Sequence, residues 1–143
     1  MAGSRLQVLK PGDLLPERSF KPDNIQLFLY NAALWNAHRI HFDHPYATEV
    51  EAYPGLVIAG PLLGDWLNQC VVDWVAEDGV LASIEYSNRK ASYIGETLRS
   101  GGRILSIDLG RREVELEVTI KNEADEVIAP GVAIARFYEG SAS

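Results

Sequence analysis

The stretch Gly60-Pro61-Leu62-Leu63-Gly64-Asp65-Trp66-Leu67-Asn68-Gln69-Cys70-Val71-Val72-Asp73-Trp74-Val75-Ala76-Glu77-Asp78-Gly79 decides the fold. Proline suits the first helical position because its missing N–H would have had no partner there. Glycine is the usual left-handed stop. The pattern therefore predicts a helix from Gly60-Pro61 to about Asp78-Gly79. Within it Leu62, Leu63, Trp66, Leu67, Cys70, Val71, Trp74 and Val75 form an apolar stripe about 220° wide, broader than a surface helix carries. Such a helix must be wrapped by other structure.

Downstream of it the period changes from helical to alternating. Val80 to Tyr86, Arg103 to Leu109 and Arg112 to Ile120 read as strands. In the last of these Val114, Leu116, Val118 and Ile120 face one way and Glu113, Glu115, Glu117 and Thr119 the other, the mark of a strand with one wet face. Gly110 lies in a short connection, Lys121 to Asp125 is a polar turn, and a final strand is expected around Val132 to Tyr138. A long central helix followed by an antiparallel meander gives an α+β fold, with the sheet bent around the helix.

Upstream the pattern is less regular. Asn24 to Leu34 reads as a helix capped at Asp23 or Asn24, and His44 to Ala52 as a short helical turn before Tyr53-Pro54-Gly55. Residues 2–5 and 140–143 read as frayed ends.

The 143 residues, 47% of them apolar, suffice for one core and are too few for two ordinary domains, so a single domain over residues 1–143 is expected. No apolar run approaches the roughly 20 residues of a membrane-spanning helix. A net charge of -7 has the wrong sign for a broad nucleic-acid interface. A polyanionic ligand would need a local basic rim, for which Arg89, Lys90, Arg99, Arg103, Arg111 and Arg112 are candidates. The single cysteine, Cys70, and the absence of a basic-then-apolar leader lead to the expectation of a reducing cytoplasm.

All three histidines fall in Asn36-Ala37-His38-Arg39-Ile40-His41-Phe42-Asp43-His44. His38, His41, Asp43 and His44 are legitimate metal ligands, but neighbouring loop residues rarely complete a site alone and Cys70 lies on the wrapped helix, so no metal is expected. Acid–base chemistry is the second reading: an imidazole near neutral pKa, held against a carboxylate or amide that fixes its tautomer, moves protons at carbon or oxygen. His41, with Asp43 two residues on, supplies those parts.

At these residues a family resemblance appears. Asn36 to Asp43 resembles the Asp-x-Asn-Pro-(apolar)-His-x-Asp motif of MaoC-like hot-dog enoyl-thioester hydratases. Tyr30 to Asp43 and Tyr53 to Leu62 are similar to the 3-hydroxyacyl-thioester dehydratase type 2 branch, which includes mitochondrial fatty-acid-synthesis dehydratases and the mesaconyl-CoA and itaconyl-CoA hydratases. The resemblance implies a hot-dog fold and reversible hydration of an enoyl thioester carried on coenzyme A or an acyl-carrier protein, without a cofactor. It places the catalytic histidine on His41 and the oxyanion-hole glycine on Gly60, where free N–H groups at a helix N-terminus would stabilise charge on a thioester oxygen.

Asn36 stands where most relatives carry a catalytic Asp; it cannot take a proton but can hold a water or β-hydroxyl. Ala59 stands where relatives usually carry a histidine. Arg39, His38, Asp43, Tyr53, Trp35 and Trp66 are the expected substrate-contacting residues, and a homodimer is the default assembly, with a hetero-oligomer of two hot-dog chains as the variant. Two readings compete. A hot-dog thioesterase would attack with a carboxylate on the central helix, for which Asp65 is the candidate. A non-catalytic acyl-binding partner subunit is the other, kept alive by Asn36.

Overall fold

The computed structural model describes residues 2–140, with side chains from Arg5 onward. Its elements in order are α1 (Ala2–Val8), β1 (Leu14–Phe20), α2 (Asn24–Ala33), a 3₁₀ turn (Arg39–His41), a π turn (Tyr46–Val50), α3 (Gly60–Val75), a second 3₁₀ turn (Ala76–Asp78), β2 (Gly79–Tyr86), β3 (Leu98–Asp108), β4 (Glu113–Lys121) and β5 (Val127–Phe137). The five strands form one antiparallel sheet in the order β1-β3-β4-β5-β2.

Helix α3 lies in the concave face of that sheet. Its side chains Leu62, Leu63, Trp66, Leu67, Cys70, Val71 and Val75 are all buried. They meet Val114, Leu116, Val118 and Ile120 of β4, Ala133, Ala135 and Phe137 of β5, and Leu98 and Ile104 of β3 in one continuous core. Burial at this scale, about 25 cal/mol for each Å² of apolar surface removed from water, is the main force holding sheet to helix. β-Bulges in β2 between Leu81 and Ser83, and in β3 between Ile104 and Ser106, add the local bend that lets the sheet curl. A sheet wrapped around one long helix is the hot-dog fold, and the architecture is α+β.

Several expectations are corrected by the structure. The strands do not run as a simple meander, because β2 pairs with β5 and the chain then crosses to the far side of the sheet before β3 begins. β3 starts at Leu98 and β5 at Val127, each earlier than the alternating pattern implied, since Gly101, Gly102, Pro130 and Gly131 interrupt the alternation without ending the strands. β1 escaped notice because only Leu15 of its seven residues is buried; as an edge strand it tolerates Pro16, at an irregularity in its pairing.

The positive-φ residue ending α3 is Ala76, at φ 51° and ψ -127°, whereas Gly79 is extended. Gly79 is required for a different reason: a Cβ there would run into the Arg136 carbonyl on β5. Residues 2–5 belong to α1 rather than to a frayed end. Arg5 donates to the Trp74 and Val75 carbonyls at 2.5 and 3.3 Å and pairs with Asp78 at 2.8 Å, closing the exposed end of α3. Gly140 is irregular, and residues 141–143 of the other expected frayed end lie outside the described residues.

Candidate active site

The chemistry-bearing residues sit on the segment between α2 and α3, which overhangs the start of the central helix. Asp23 caps α2, its carboxylate accepting from the Gln26 N–H at 2.8 Å. The helix ends at Ala33 with Leu34 as its C-cap, and Trp35 beyond it adopts φ 56°. The Asn36 N–H then returns to the Asn31 carbonyl at 2.8 Å, and the Asn36 side-chain oxygen accepts from the His38 N–H at 3.2 Å. His38 in turn caps the 3₁₀ turn, its Nδ1 accepting from the Ile40 N–H at 3.3 Å. Local side-chain-to-backbone bonds of this kind hold backbone that neither helix nor sheet organises.

His41 is buried, 7% exposed, at the end of that turn. Its Nδ1 lies 2.7 Å from the Val57 carbonyl. A carbonyl can only accept, so Nδ1 carries the proton and Nε2 keeps its lone pair. Burial lowers the His41 pKa from its ordinary value, the Val57 bond opposes that shift, and the His38 ring, 5.8 Å away, adds to it. The result is a neutral imidazole with a basic Nε2. The sequence suggested Asp43 as the group orienting this ring, and the structure corrects that. Asp43 instead accepts from Arg39 at 3.0 and 2.8 Å and from the Tyr46 N–H at 3.2 Å, and the Arg39 guanidinium holds its carboxyl below the usual range.

Val57 also ties His41 to the helix start. Its N–H donates to the Ile40 carbonyl at 3.0 Å, so the 3₁₀ turn and the strand-like residues before α3 are bonded in both directions. Three residues on, Gly60 begins α3 behind the N-cap Ala59, with proline in the first turn. Among the described residues nothing accepts from the Gly60 N–H. The connection between β2 and β3 crosses directly above. Ser92 accepts from the Ile58 N–H at 2.8 Å, Ile94 donates to the Leu56 carbonyl at 3.2 Å, and the Asn88 amide lies against Gly60 where a Cβ would otherwise project. Asn88 was not singled out from the sequence. The polar run after a strand signals only a turn, and its meeting with Gly60 arises from the crossover.

The remaining expected contacts divide. Trp35 stands free, 94% exposed, and lines a cleft of about 210 Å³ together with Asn36, Phe28, Ala32 and Phe42. Tyr53 is half-buried against Tyr93, ring centroids 6.2 Å apart. Trp66 is not a substrate contact: it is buried in the core, stacked on Phe20 at 4.2 Å. Arg39 lies over the Tyr46 ring at 4.1 Å besides pairing with Asp43, so its guanidinium is engaged on both sides. Of the six rim cations, Lys90, Arg99, Arg103, Arg111 and Arg112 are in ion pairs, and Arg89 alone has no acidic partner among the described residues. His38, His41, Asp43 and His44 do not converge; among the described residues no three His, Cys, Asp or Glu side chains form a metal-holding group. Nor is any helix among them long and apolar enough to cross a membrane.

Asp65 lies past the first turn of α3, exposed, and accepts from the Tyr30 hydroxyl at 2.6 Å. Burial, with that bond, pushes the Tyr30 phenol well above its ordinary value, so it stays a donor.

This arrangement, an oriented imidazole beside the open N-terminus of a sheet-wrapped helix, is accompanied by close fold relatives. The (R)-hydratase from A. caviae involved in PHA biosynthesis superposes with a TM-score of 0.84 over 92% of this chain and 99% of that one, at 13% identity. The chain belongs to the hydroxyacyl-thioester dehydratase type 2 family, whose model matches residues 6–94. It is 54% identical over 46 residues to mesaconyl-C(4)-CoA hydratase of Chloroflexus aurantiacus, a match covering 32% of this chain and 16% of that protein. It is 49% identical over 51 residues to the mitochondrial hydroxyacyl-thioester dehydratase type 2 of Schizosaccharomyces pombe, covering 34% and 17% respectively. The matched part is thus about a sixth of each relative's length.

Proposed function

We propose that the protein is a hydro-lyase that reversibly hydrates enoyl thioesters and dehydrates 3-hydroxyacyl thioesters. The observation that carries this reading is the bond from His41 to the Val57 carbonyl, which fixes a basic Nε2 next to the helix that begins at Gly60. In the dehydration direction His41 Nε2 takes the α-proton. Negative charge grows on the thioester oxygen, where the free Gly60 N–H and the dipole of α3 stabilise it, a contribution of roughly 3–4 kcal/mol for one such donor. The Asn36 oxygen is turned toward His38, which leaves its NH₂ to hold the β-oxygen. The protonated His41 then returns its proton to the departing hydroxyl, giving enoyl thioester and water. Addition of water is the same path reversed.

His41, Asn36 and Gly60 are the catalytic residues in this proposal, with Trp35 at the substrate. The thiol carrier is coenzyme A or an acyl-carrier protein, and of the six rim cations Arg89 is the one without an acidic partner among the described residues and so available to its phosphates. A homodimer in the cytoplasm is part of the same reading. Of the two open sheet edges, β1 is blunted by Pro16 whereas β2 runs without proline, so β2 is the edge available for a second copy. The thioesterase reading is disfavoured by Asp65, whose carboxylate is bonded to Tyr30 on α2 rather than free to attack.

The test is a panel of enoyl-CoA esters followed by loss of the conjugated thioester absorbance, with a thiol reagent reporting free CoA. Absorbance loss without thiol release, reduced about 10²–10⁴-fold in His41→Ala, is the expected result. Thiol release that survives in His41→Ala but not in Asp65→Ala would mean a thioesterase. Silence across the panel would favour a non-catalytic partner subunit.

A further inference from the structure

Helix α2 turns an apolar face outward. Ile25, Phe28 and Leu29 are 64, 54 and 62% exposed, and Trp35 continues the line past the helix end. An apolar strip of this size left in water calls for an occupant. Two clefts follow it, one of about 210 Å³ beside Trp35 and Asn36 and one of about 220 Å³ beside Ile25, Leu29 and Leu56. Phe28 and Phe42 line both clefts, their rings edge to face at 6.4 Å. The two clefts thus adjoin along the Phe28–Phe42 wall as a track on the outside of α2, and its near end is Asn36, the residue assigned above to the β-oxygen.

Charge narrows the occupant. No ionisable side chain lines either cleft. The one cation of the histidine segment, Arg39, is paired with Asp43 and stacked on Tyr46. A carboxylate drawn into this track would lose its water without gaining a partner, whereas each methylene laid along it leaves water for apolar surface. A second molecule of the chain would cover the strip too, but it would have no reason to end at a polar donor for the reacting group.

We infer that the track along α2 receives the tail of the acyl group, and that the substrates are neutral acyl thioesters longer than four carbons rather than dicarboxylic ones. This rests on the hydratase reading for the identity of the head group. Trp35, Phe28 and Phe42 are the residues that select for length, and the track lies outside the core, so it admits a chain without opening the sheet.

The experiment compares crotonyl-, hexenoyl-, octenoyl- and mesaconyl-CoA by kcat/KM, in the full chain and in Phe28→Glu, with molar mass measured by light scattering. In parallel, non-reacting octanoyl-CoA and succinyl-CoA are titrated against tryptophan emission, with Trp35→Phe as the control. The expected result is a kcat/KM rising up to about fourfold per added methylene, which is about 0.8 kcal/mol each. Mesaconyl-CoA should be the poorest substrate, and Phe28→Glu should lower the octenoyl-to-crotonyl ratio at least about tenfold. Octanoyl-CoA, and not succinyl-CoA, should shift the emission to the blue, and Trp35→Phe should lose the shift.

A flat chain-length profile, or a preference for mesaconyl-CoA, overturns the inference while leaving the hydratase reading intact. So does a Phe28→Glu variant whose mass falls with its chain-length ratio unchanged, which would make the strip an interface between copies. Absence of hydration with every ester removes the hydratase reading instead, and the octanoyl shift still reports on the track.

Discussion

The body of the molecule and the segment overhanging it are built on different principles. From Gly60 onward, α3 and β2 to β5 are regular, and the buried side chains of α3, β3, β4 and β5 form one apolar cluster. From Asn24 to Ala59 the chain passes through one helix, a 3₁₀ turn and a π turn, with Trp35 and Ala52 at φ 56° and 60°, while the body confines its own positive-φ non-glycine residues, Ala76, Arg112 and Asp125, to the turns between its helix and strands. Its backbone is pinned by Asp23, Asn36, His38 and Asp43 side chains rather than by a ladder. The body derives its stability from burial. The overhang derives precision from a small number of polar bonds, and it carries the buried His41 imidazole.

Substitutions in the two regions should therefore separate stability from activity. Leu67→Ala, on the fully buried face of α3, should lose about 2–5 kcal/mol of unfolding free energy in urea titration. A value under 1 kcal/mol would mean the core is not centred on this helix. Gly60→Ala brings a methyl group against the exposed Asn88 side chain, which can move aside, so its melting temperature should hold. Alanine keeps the backbone N–H, but its methyl group stands where the thioester oxygen must approach that donor, so the hydratase kcat/KM should nonetheless fall about 10²-fold. An equal loss of stability and activity would show that Gly60 is needed for packing alone.

A smaller effect is expected from pH. The folded-state pKa of His41 lies below its ordinary value, so the folded chain binds fewer protons than the unfolded chain between the two values. Stability should fall as the pH drops through that window below about 6.5, and His41→Gln should flatten the dependence. The acid limb of kcat/KM should lie below 6.5 for the same reason, and a limb above that value would contradict a buried neutral imidazole. The smallest effect is at Ala52, where glycine adopts the left-handed conformation freely. Ala52→Gly should gain a few tenths of a kcal/mol, about the difference between relieved strain and added unfolded-chain entropy, and a loss of stability would place Ala52's methyl in a contact.

The same division explains what was legible in the sequence. The stripe from Leu62 to Val75 and the alternation of Val114 to Ile120 follow directly from burial on one face, and both were readable. β1 was not, because an edge strand with one buried residue has no pattern to show, and neither was the placing of β2 beside β5, which depends on a crossover. At the site, the histidine cluster and a helix start at Gly60 were readable from the residues, whereas the choice of His41 and Gly60 rests on the family resemblance. The partner of His41 was not readable. A backbone carbonyl sixteen residues away has no residue signature, so Asp43, close in sequence and chemically suitable, was the natural but mistaken choice. Trp66 could by sequence be substrate contact or core, and its stacking on Phe20 makes it core.

The paired bonds between Ile40-His41 and Val57 have an evolutionary corollary. They make the histidine turn and the start of the central helix one heritable part, although eighteen residues separate them in the chain. Recombination that brought a new histidine turn without its own Val57 strand would deliver an imidazole with the wrong tautomer or the wrong aim. Exchange of acyl preference among related chains should then proceed by drift along α2, which the bonded pair leaves untouched, while residues 40–60 pass between lineages whole.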